Sequence, residues 1–576
     1  MKLLEKHFDL AFTAPNGVQK LRELILTFAM QGKLVPQDPN DQPASELLKA
    51  IEAEKQRLAQ TEEIKISKPL LEIKIDEIPY ELPKGWKWVR LGSIAAYIQR
   101  GIGPRYSDIP EIPVISQKCI QWSGFNKSIV KFIDPSTIDR YRNERFIRDG
   151  DLLWNSTGTG TIGRINVYRD ELNDFKRVVA DSHVTVIRLI GLCNAYVLNF
   201  LMSPIVQKHI EENASGTTNQ IELNTTTVIN QVVPLPPLAE QRRIVAEIDR
   251  LMARCDELEK LRGDRNQKRI TIHTAALNRL LTAKESSDFS TAWRFITQHF
   301  GELYSVKENV AELRKAILQL AIMGKLVPQD PKDEPASELL KAIEAEKQRL
   351  VKEGKIKQSK PLPEIKPQQV PYELPKGWNW VRLGDISQII GGFAYKSNLF
   401  KTEGTRQVLR LGNIRPDLIR LNENPVFIDD SLGELTSELC LLKNDILITM
   451  TGTRSKHDYL YTVRVEENPM NGVLLYLNQR VGAIRLFSDA RYMNLALKVE
   501  ILKDAIFSSA TGSANQANIG INNLREWIVP LPPLTEQHRI IAKTDRIMAL
   551  CDQLDEQIDA ATSKQTTLLN AVMAQV

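Results

Sequence analysis

The sequence predicts an α/β protein of the mixed α+β kind, with two globular domains separated by long antiparallel coiled-coil helices in a pseudo-two-fold internal repeat. Three observations predict it. A long stretch of chain recurs almost unchanged, two nearly equal inserts within it match each other poorly, and helical apolar spacing follows a proline segment that is used twice.

Residues 32–58 read GKLVPQDPNDQPASELLKAIEAEKQRL and residues 324–350 read GKLVPQDPKDEPASELLKAIEAEKQRL, differing only at Asn40/Lys332 and Gln42/Glu334. The offset, 324 − 32 = 292, also links YELPKGWKWVRLG from Tyr80 to YELPKGWNWVRLG from Tyr372. A third pair, VPLPPLAEQRRIVAEIDRLMARCDEL from Val233 and VPLPPLTEQHRIIAKTDRIMALCDQL from Val529, lies at 529 − 233 = 296. The chain therefore divides into an N-terminal helical scaffold and linker (1–86), a first insert (87–232), a central helical spacer (233–378), a second insert (379–528) and a C-terminal spacer helix (529–576). Each insert has the size of an ordinary domain. A frame kept while its contents diverge implies one mounting task performed twice, on two different targets.

The frame reads as helix. After the prolines, Ile244, Ile248, Leu251, Cys255 and Leu258 step by four and three, as do Ile540, Thr544, Ile547, Cys551, Leu554 and Ile558. Such steps mark a narrow coiled-coil seam. Proline cannot sit inside the helix, so the boundary falls at Leu238 in the first copy. A helix from there to Leu281 is a rod on the order of 60 Å. The second rod runs through Leu568, Leu569 and Val572. Shorter helices carry Leu21, Leu24, Ile25 and Phe28 up to Gly32, and Leu313, Ile317 and Leu320 up to Gly324. A/E/K-rich helices follow over 43–58 and 335–350, then exposed linkers over 59–79 and 351–371. The matching seam cysteines Cys255 and Cys551 read as small buried thiols. Trp86, Trp88, Trp378 and Trp380, at the junctions of frame and insert, read as packing residues.

Both inserts open with WVRLG, a short strand, and read as mixed sheets, with helices expected over 195–211 and 491–507. Three places correspond in outline. IPVISQKCIQW (112–122) matches QVLRLGNIRPD (407–417), GDLLWNSTGTGTIGRINVY (150–168) matches NDILITMTGTRSKHDYLY (444–461), and SGTTNQ (215–220) matches ATGSANQ (510–516). All three combine glycine turns with Arg, Lys, Asn, Gln, Ser and Thr after a strand. Backbone N–H groups and hydroxyls of that kind hold phosphates, and Arg, Asn and Gln pair with base edges. The candidate DNA-contacting residues are Gln117, Lys118, Asn155, Thr157, Thr159 and Arg164 in the first insert and Arg410, Asn413, Arg415, Thr451, Arg454 and Lys456 in the second. Asn219/Gln220 and Asn515/Gln516 are further candidates. Arg140, Arg142, Arg145 and Arg148 form a basic cluster, readable as a solvated face or as a phosphate track.

The net charge of +5 over 576 residues permits a nucleic-acid partner without demanding one, and neither insert is strongly basic. Five cysteines without a CxxC pair argue against a disulfide framework or a zinc site. The N-terminus lacks a signal-peptide core and no apolar run approaches a membrane span, so the expected location is the cytoplasm. No G-x-x-x-x-G-K-[ST] phosphate loop, HExxH pair or NPPY-type run is present, Asn424-Pro425-Val426-Phe427 being a poor imitation. His183 and His457 have no counterparts in the repeat, and the inserts share no set of acid, base and nucleophile, which favours binding over catalysis and leaves no catalytic residue or metal ligand to name.

The two PLPPLxEQ-to-helix blocks, the two PKGWxWVRLG segments, the GDLL and NDIL strand–loop segments and the ATGSANQ loop resemble the specificity subunit of a type I restriction–modification system over nearly the whole chain. The resemblance implies a chain that is no enzyme on its own. Each insert would be a target recognition domain reading one half of a bipartite, asymmetric site in double-stranded DNA. The helices would set the gap and dock two adenine-methylating modification subunits and the restriction/translocase subunits. S-adenosylmethionine, ATP and Mg²⁺ would be bound by those partners and no cofactor by this chain. Two other classes fit the residues less well, a helical scaffold with protein-binding inserts and a standalone DNA-modifying enzyme.

Overall fold

The structure, a computed structural model, describes residues 12–64, 69–158, 160–172, 175–214, 222–513 and 515–574. It forms two compact units, Met1–Arg265 with Ala561–Val576, and Asn266–Ala560.

The first unit begins with α1 (Gly17–Met30) and α2 (Ala44–Gln60). The chain enters the insert on β1 (Lys87–Arg90) and leaves it on β8 (Val232–Leu235). These two strands pair antiparallel, Lys87 opposite Leu235 and Arg90 opposite Val232, so WVRLG and VPLPPL close the neck of the insert. Inside, β2 (Ala95–Arg100), β4 (Leu152–Asn155), β5 (Ile165–Val167) and β7 (Val184–Leu189) form an antiparallel sheet in the order β2-β7-β4-β5. The short β3 (Pro113–Ile115) runs parallel to β6 (Val179–Ala180) in a second sheet. The expected helix over 195–211 is two helices, α3 (Asn194–Leu201) and α4 (Pro204–Ala214). Pro204 has no N–H to donate and a fixed φ, so it starts a helix and cannot continue one.

Straight after Pro237 comes α5 (Leu238–Thr282), one residue longer than its apolar spacing predicts. Its residues Ile244, Ile248 and Cys255 share a core with Ile25, Leu26 and Ala29 of α1 and with Trp86 and Tyr196. Leu258 is 37% exposed, unlike the rest of the predicted seam. Polar clamps take over there: Arg22 pairs with Asp256 at 2.6 Å and Glu259 at 2.9 Å, and Arg262 donates to the carbonyls of Phe12, Thr13 and Ala14.

The second unit repeats the plan. After α6 (Ser286–Gln298), which sequence reasoning missed, come α7 (Lys307–Ile322) and α8 (Ala336–Lys352). The neck strands β9 (Asn379–Arg382) and β16 (Ile528–Leu531) pair antiparallel. Between them β10 (Ser387–Gly391), β12 (Ile446–Thr449), β13 (Thr462–Arg464) and β15 (Val481–Leu486) form a sheet in the order β10-β15-β12-β13, and β11 (Arg406–Leu409) runs parallel to β14 (Leu474–Leu477). The two inserts thus share a sheet order that their sequences hide. The helix expected over 491–507 is again split, into α9 (Ala490–Ala496) and α10 (Glu500–Ser508). The last helix is α11 (Leu534–Met573). Arg314 repeats the Arg22 clamp, pairing with Asp552 at 2.8 Å and Asp555 at 2.9 Å.

The ends of the two long helices complete the cores. Ala276, Leu277 and Leu280 of α5 pack with Leu313, Ile317 and Leu320 of α7 and Cys551 of α11 in the second unit. In the first, Leu569 and Val572 of α11 pack with Phe12 and Leu24. Cys255 and Cys551 are buried, and burial pushes both thiols above their usual range. The segments expected as exposed linkers are mostly exposed among the described residues and are also anchored to the neck. Arg90, only 6% exposed, donates to the carbonyls of Leu71 and Glu72 and pairs with Glu77 at 2.7 Å, holding that carboxyl down at about 2. Arg382 binds the carbonyls of Pro363 and Glu364 in the same way.

Candidate nucleic-acid interface

In the second insert the structure gathers the three polar segments beside one another, and in the first it brings the first two together, the third (215–220) lying outside the described residues. The first is a hairpin with the same pairing in both copies, Ile120 opposite Phe125 and Ile414 opposite Ile419. The second leaves β4 or β12. The chain just after the third segment returns along it: Leu223 N–H donates to the Ser156 carbonyl at 2.8 Å, and Ile519 N–H to the Met450 carbonyl at 2.8 Å. Thr451 and Gly452 pair with Asn518 and Ala517, and Thr157 bridges Glu222. The hairpin is tied to the second segment in the first insert by Arg164, which donates to Gln121 Oε1 at 2.7 Å and the Gly160 carbonyl at 2.7 Å.

Not every candidate in these segments faces solvent. Asn155 is fully buried, its amide donating to the carbonyls of Gln117 at 2.9 Å and Thr161 at 3.1 Å. Asn413 is 2% exposed; its Oδ1 accepts from Arg410 N–H at 2.9 Å and its amide donates to the carbonyls of Arg420 and Glu423. Both asparagines hold loops in shape, which corrects their reading as groups presented to a base. Thr451 is buried too and donates to Asn518 Oδ1 at 2.9 Å.

The remaining candidates are at least partly open. Lys118, Lys456, Asn515 and Gln516 are exposed. Gln117, Thr157, Arg164, Arg410, Arg415 and Arg454 are half-buried. Arg454 donates to the Ala510 carbonyl at 2.9 Å, which joins its loop to the ATGSANQ segment. Arg410 is held by the Asn424 carbonyl, and Arg415 lies 3.8 Å from Glu423. Gln117 Oε1, Arg164 Nε and Arg454 Nε are buried polar atoms without a hydrogen-bond partner. Thr159, Asn219 and Gln220 lie outside the described residues.

Sequence reasoning missed one shared position. Ser156 N–H donates to the His183 carbonyl and Met450 N–H to the Arg480 carbonyl, so His183 and Arg480 occupy the same address just before β7 and β15. Both are exposed, and His183 Nδ1 lies 2.6 Å from Thr157 Oγ1. Thus His183 does have a positional counterpart. A second missed pair supports the loops from below. Asp151 binds Arg188 through two contacts of 2.8 and 2.6 Å, and Asp445 binds Arg485 through two of 2.9 and 2.7 Å. Burial raises the Asp151 pKa despite Arg188 beside it. These acids are the D of GDLL and NDIL, so that segment carries a structural ion pair. The basic cluster is open: Arg140, Arg142 and Arg148 are exposed with no ion pair among the described residues, whereas Arg145 donates to the Arg100 carbonyl at 3.2 Å. Among the described residues there is no group of side chains able to hold a metal ion and no helix long and apolar enough to cross a membrane.

The EQ of PLPPLxEQ is explained by the neck. Glu240 accepts from Trp86 Nε1 at 3.0 Å and Gln37 Nε2 at 3.3 Å, while Gln241 donates to the Pro236 carbonyl and accepts from Cys193 N–H. In the second copy Trp378, Gln329 and Glu536 repeat the set.

Residues 83–266 and 375–561 match the family described as type I restriction modification DNA specificity domain. Over 574 residues the chain is 35% identical to the Type I restriction enzyme EcoAI specificity subunit of Escherichia coli, covering 96% of this chain and 93% of that one. It is 33% identical to the EcoEI specificity subunit of the same organism over 96% and 93% of the two chains. A crystal structure of the HsdS subunit from Thermoanaerobacter tengcongensis is 18% identical, covers 85% of this chain and 97% of that one, and superposes with a TM-score of 0.42. The two family matches, one on each insert with its neck and the start of its long helix, and the end-to-end identity place this chain in the family of type I restriction–modification specificity subunits.

Proposed function

We propose that each insert is a target recognition domain that reads one half of a bipartite, asymmetric site in double-stranded DNA. The observation that carries this reading is the internal one. Two inserts with diverged sequences keep one sheet order and bring the hairpin and the loop after β4 or β12 together, on a frame duplicated almost without change. Lys118, Arg164 and His183 would face the first half-site and Arg410, Arg415, Arg454, Lys456 and Arg480 the second, with Asn155, Asn413 and Thr451 holding the loops. The exposed Arg140, Arg142 and Arg148 would track phosphates.

The frame would serve two purposes. Rods of 45 and 40 residues extend on the order of 60–70 Å, enough to hold two readers a B-DNA turn of ~34–36 Å apart and so to set the unread gap. The exposed faces of α2 and α8 are the same, with Glu46, Lys49, Glu52, Gln56 and Arg57 recurring as Glu338, Lys341, Glu344, Gln348 and Arg349. A surface presented twice suits two copies of one partner, the methyltransferase subunits, with restriction/translocase subunits joining the larger assembly. Methylation with S-adenosylmethionine and ATP- and Mg²⁺-dependent work would belong to those partners, in the cytoplasm, and this chain would supply the address. Mapping methylated adenines in cells that express the chain with its modification subunit tests the reading. A two-part sequence with a fixed gap is expected; a continuous or symmetric site would refute it.

A further inference from the structure

We infer that Trp122 is a specificity-determining residue of the first insert, whose indole packs against a nucleobase of the bound duplex. The inference rests on the proposal that the insert reads DNA. Trp122 is 46% exposed at the tip of the hairpin between Gln121 and Gly124, within the interface described above. Large aromatic side chains are normally packed, because burying them contributes much of a core's stability. Trp154, in the sheet of the same insert, is 1% exposed.

The stem below the indole is rigid. Gln121 Nε2 donates to the Lys118 carbonyl at 2.7 Å, its Oε1 accepts from Arg164, and its carbonyl accepts from Asn166 at 3.3 Å. Gly124, at φ +129°, makes a turn that a side chain would strain, and a Cβ there would meet nothing within 4 Å, so the requirement is conformational. A tip fixed before binding loses little entropy when it docks. The second insert carries no aromatic residue at the same address. There Pro416 stands at the position of Trp122, and the next residue, Asp417, is held by Lys498 and by its N–H to the Thr462 carbonyl at 3.3 Å. The first tip carries an apolar plane with one N–H donor, a surface suited to a base edge, a thymine methyl or an unstacked base step and unsuited to a phosphate.

The chemistry sets the test. An apolar base contact adds affinity without releasing counterions, so it leaves the salt dependence alone. With the full chain and a duplex bearing its methylated sequence, Trp122→Ala should weaken binding by roughly tenfold to a hundredfold, with Trp122→Phe retaining part of it. The slope of log affinity against log salt should stay that of the wild type, whereas Lys118→Ala should lower it by about 0.9 if Lys118 meets a phosphate. The emission that Trp122→Phe removes should be quenched by the specific duplex in the wild type. Wild-type affinity and unquenched emission in these variants would overturn the inference, as would a loss confined to binding of the modification subunit. Failure of the wild-type chain to prefer its own duplex would instead sink the DNA-reading proposal itself.

Discussion

Trp86 donates its indole N–H to the buried Glu240 carboxylate at 3.0 Å, and Trp378 does the same to Glu536 at 2.9 Å. Each bond joins the residue just before the strand entering an insert to the first turn of the long helix leaving it. Burial raises the Glu240 pKa, which Trp86 and Gln37 oppose. Glu240→Ala should leave a buried indole N–H unpaired and cost about 1–3 kcal/mol in urea unfolding of the full chain, with Glu240→Gln costing less because an acceptor remains. Equal stability of all three would show that the bond does not hold the neck.

His273 gives the second unit a pH dependence. It is 1% exposed, its Nε2 has no hydrogen-bond partner, and its ring meets Tyr304 edge-on at 5.1 Å. Burial lowers its pKa. The unfolded imidazole takes a proton near ~6.5 while the folded one does not, so this stability is intact above that pH and is lost as pH falls through the window below it. The matching residue of the other copy is Leu569 (569 − 296 = 273), packed in its core. His273→Leu should therefore flatten the fall in melting temperature below about pH 6.5. An unchanged pH profile would assign the acid sensitivity elsewhere.

The buried pairs Asp151–Arg188 and Asp445–Arg485 should be local to their inserts. Removing the buried acid leaves a half-buried arginine without its partner and should cost less than the ~3–5 kcal/mol of a fully buried pair. Asp151→Ala should speed hydrogen exchange in β4 and β7 and leave β12 and β15 protected. Exchange rising equally in both inserts would mean that they unfold together.

Base-reading arginines should be separable by half-site. Arg454→Ala is expected to cost ~1–3 kcal/mol in binding and to relax only the part of the sequence read by the second insert. A uniform loss on every duplex would make Arg454 a phosphate contact.

The frame was legible because its repeat is nearly identical and its apolar residues keep helical spacing up to Cys255 and Cys551. The start of α5 follows from Pro237, and the burial of both thiols from that spacing. The inserts were harder to read. Their hairpins correspond at an offset of 415 − 121 = 294, but the strands after them at 480 − 183 = 297, so no single shift aligns both the hairpins and Arg480 with His183. Polar loop residues also hide their role in the sequence. Asn413 and Arg415 look alike as base readers, yet only the folded hairpin turns Asn413 inward to cap its own turn. Pro204 carries a signal for the break between α3 and α4 that the single helix expected over 195–211 passed over, while the break at residues 497–499 carries no proline to signal it.

The central claim is that two independent readers sit on one shared frame, and exchanging residues 379–528 for the corresponding insert of a related specificity subunit tests it most directly. Methylated adenines mapped in cells carrying the hybrid should show a new sequence in one half of the site, with the other half and the gap unchanged. A change in both halves, or an altered gap with the half-sites intact, would contradict it.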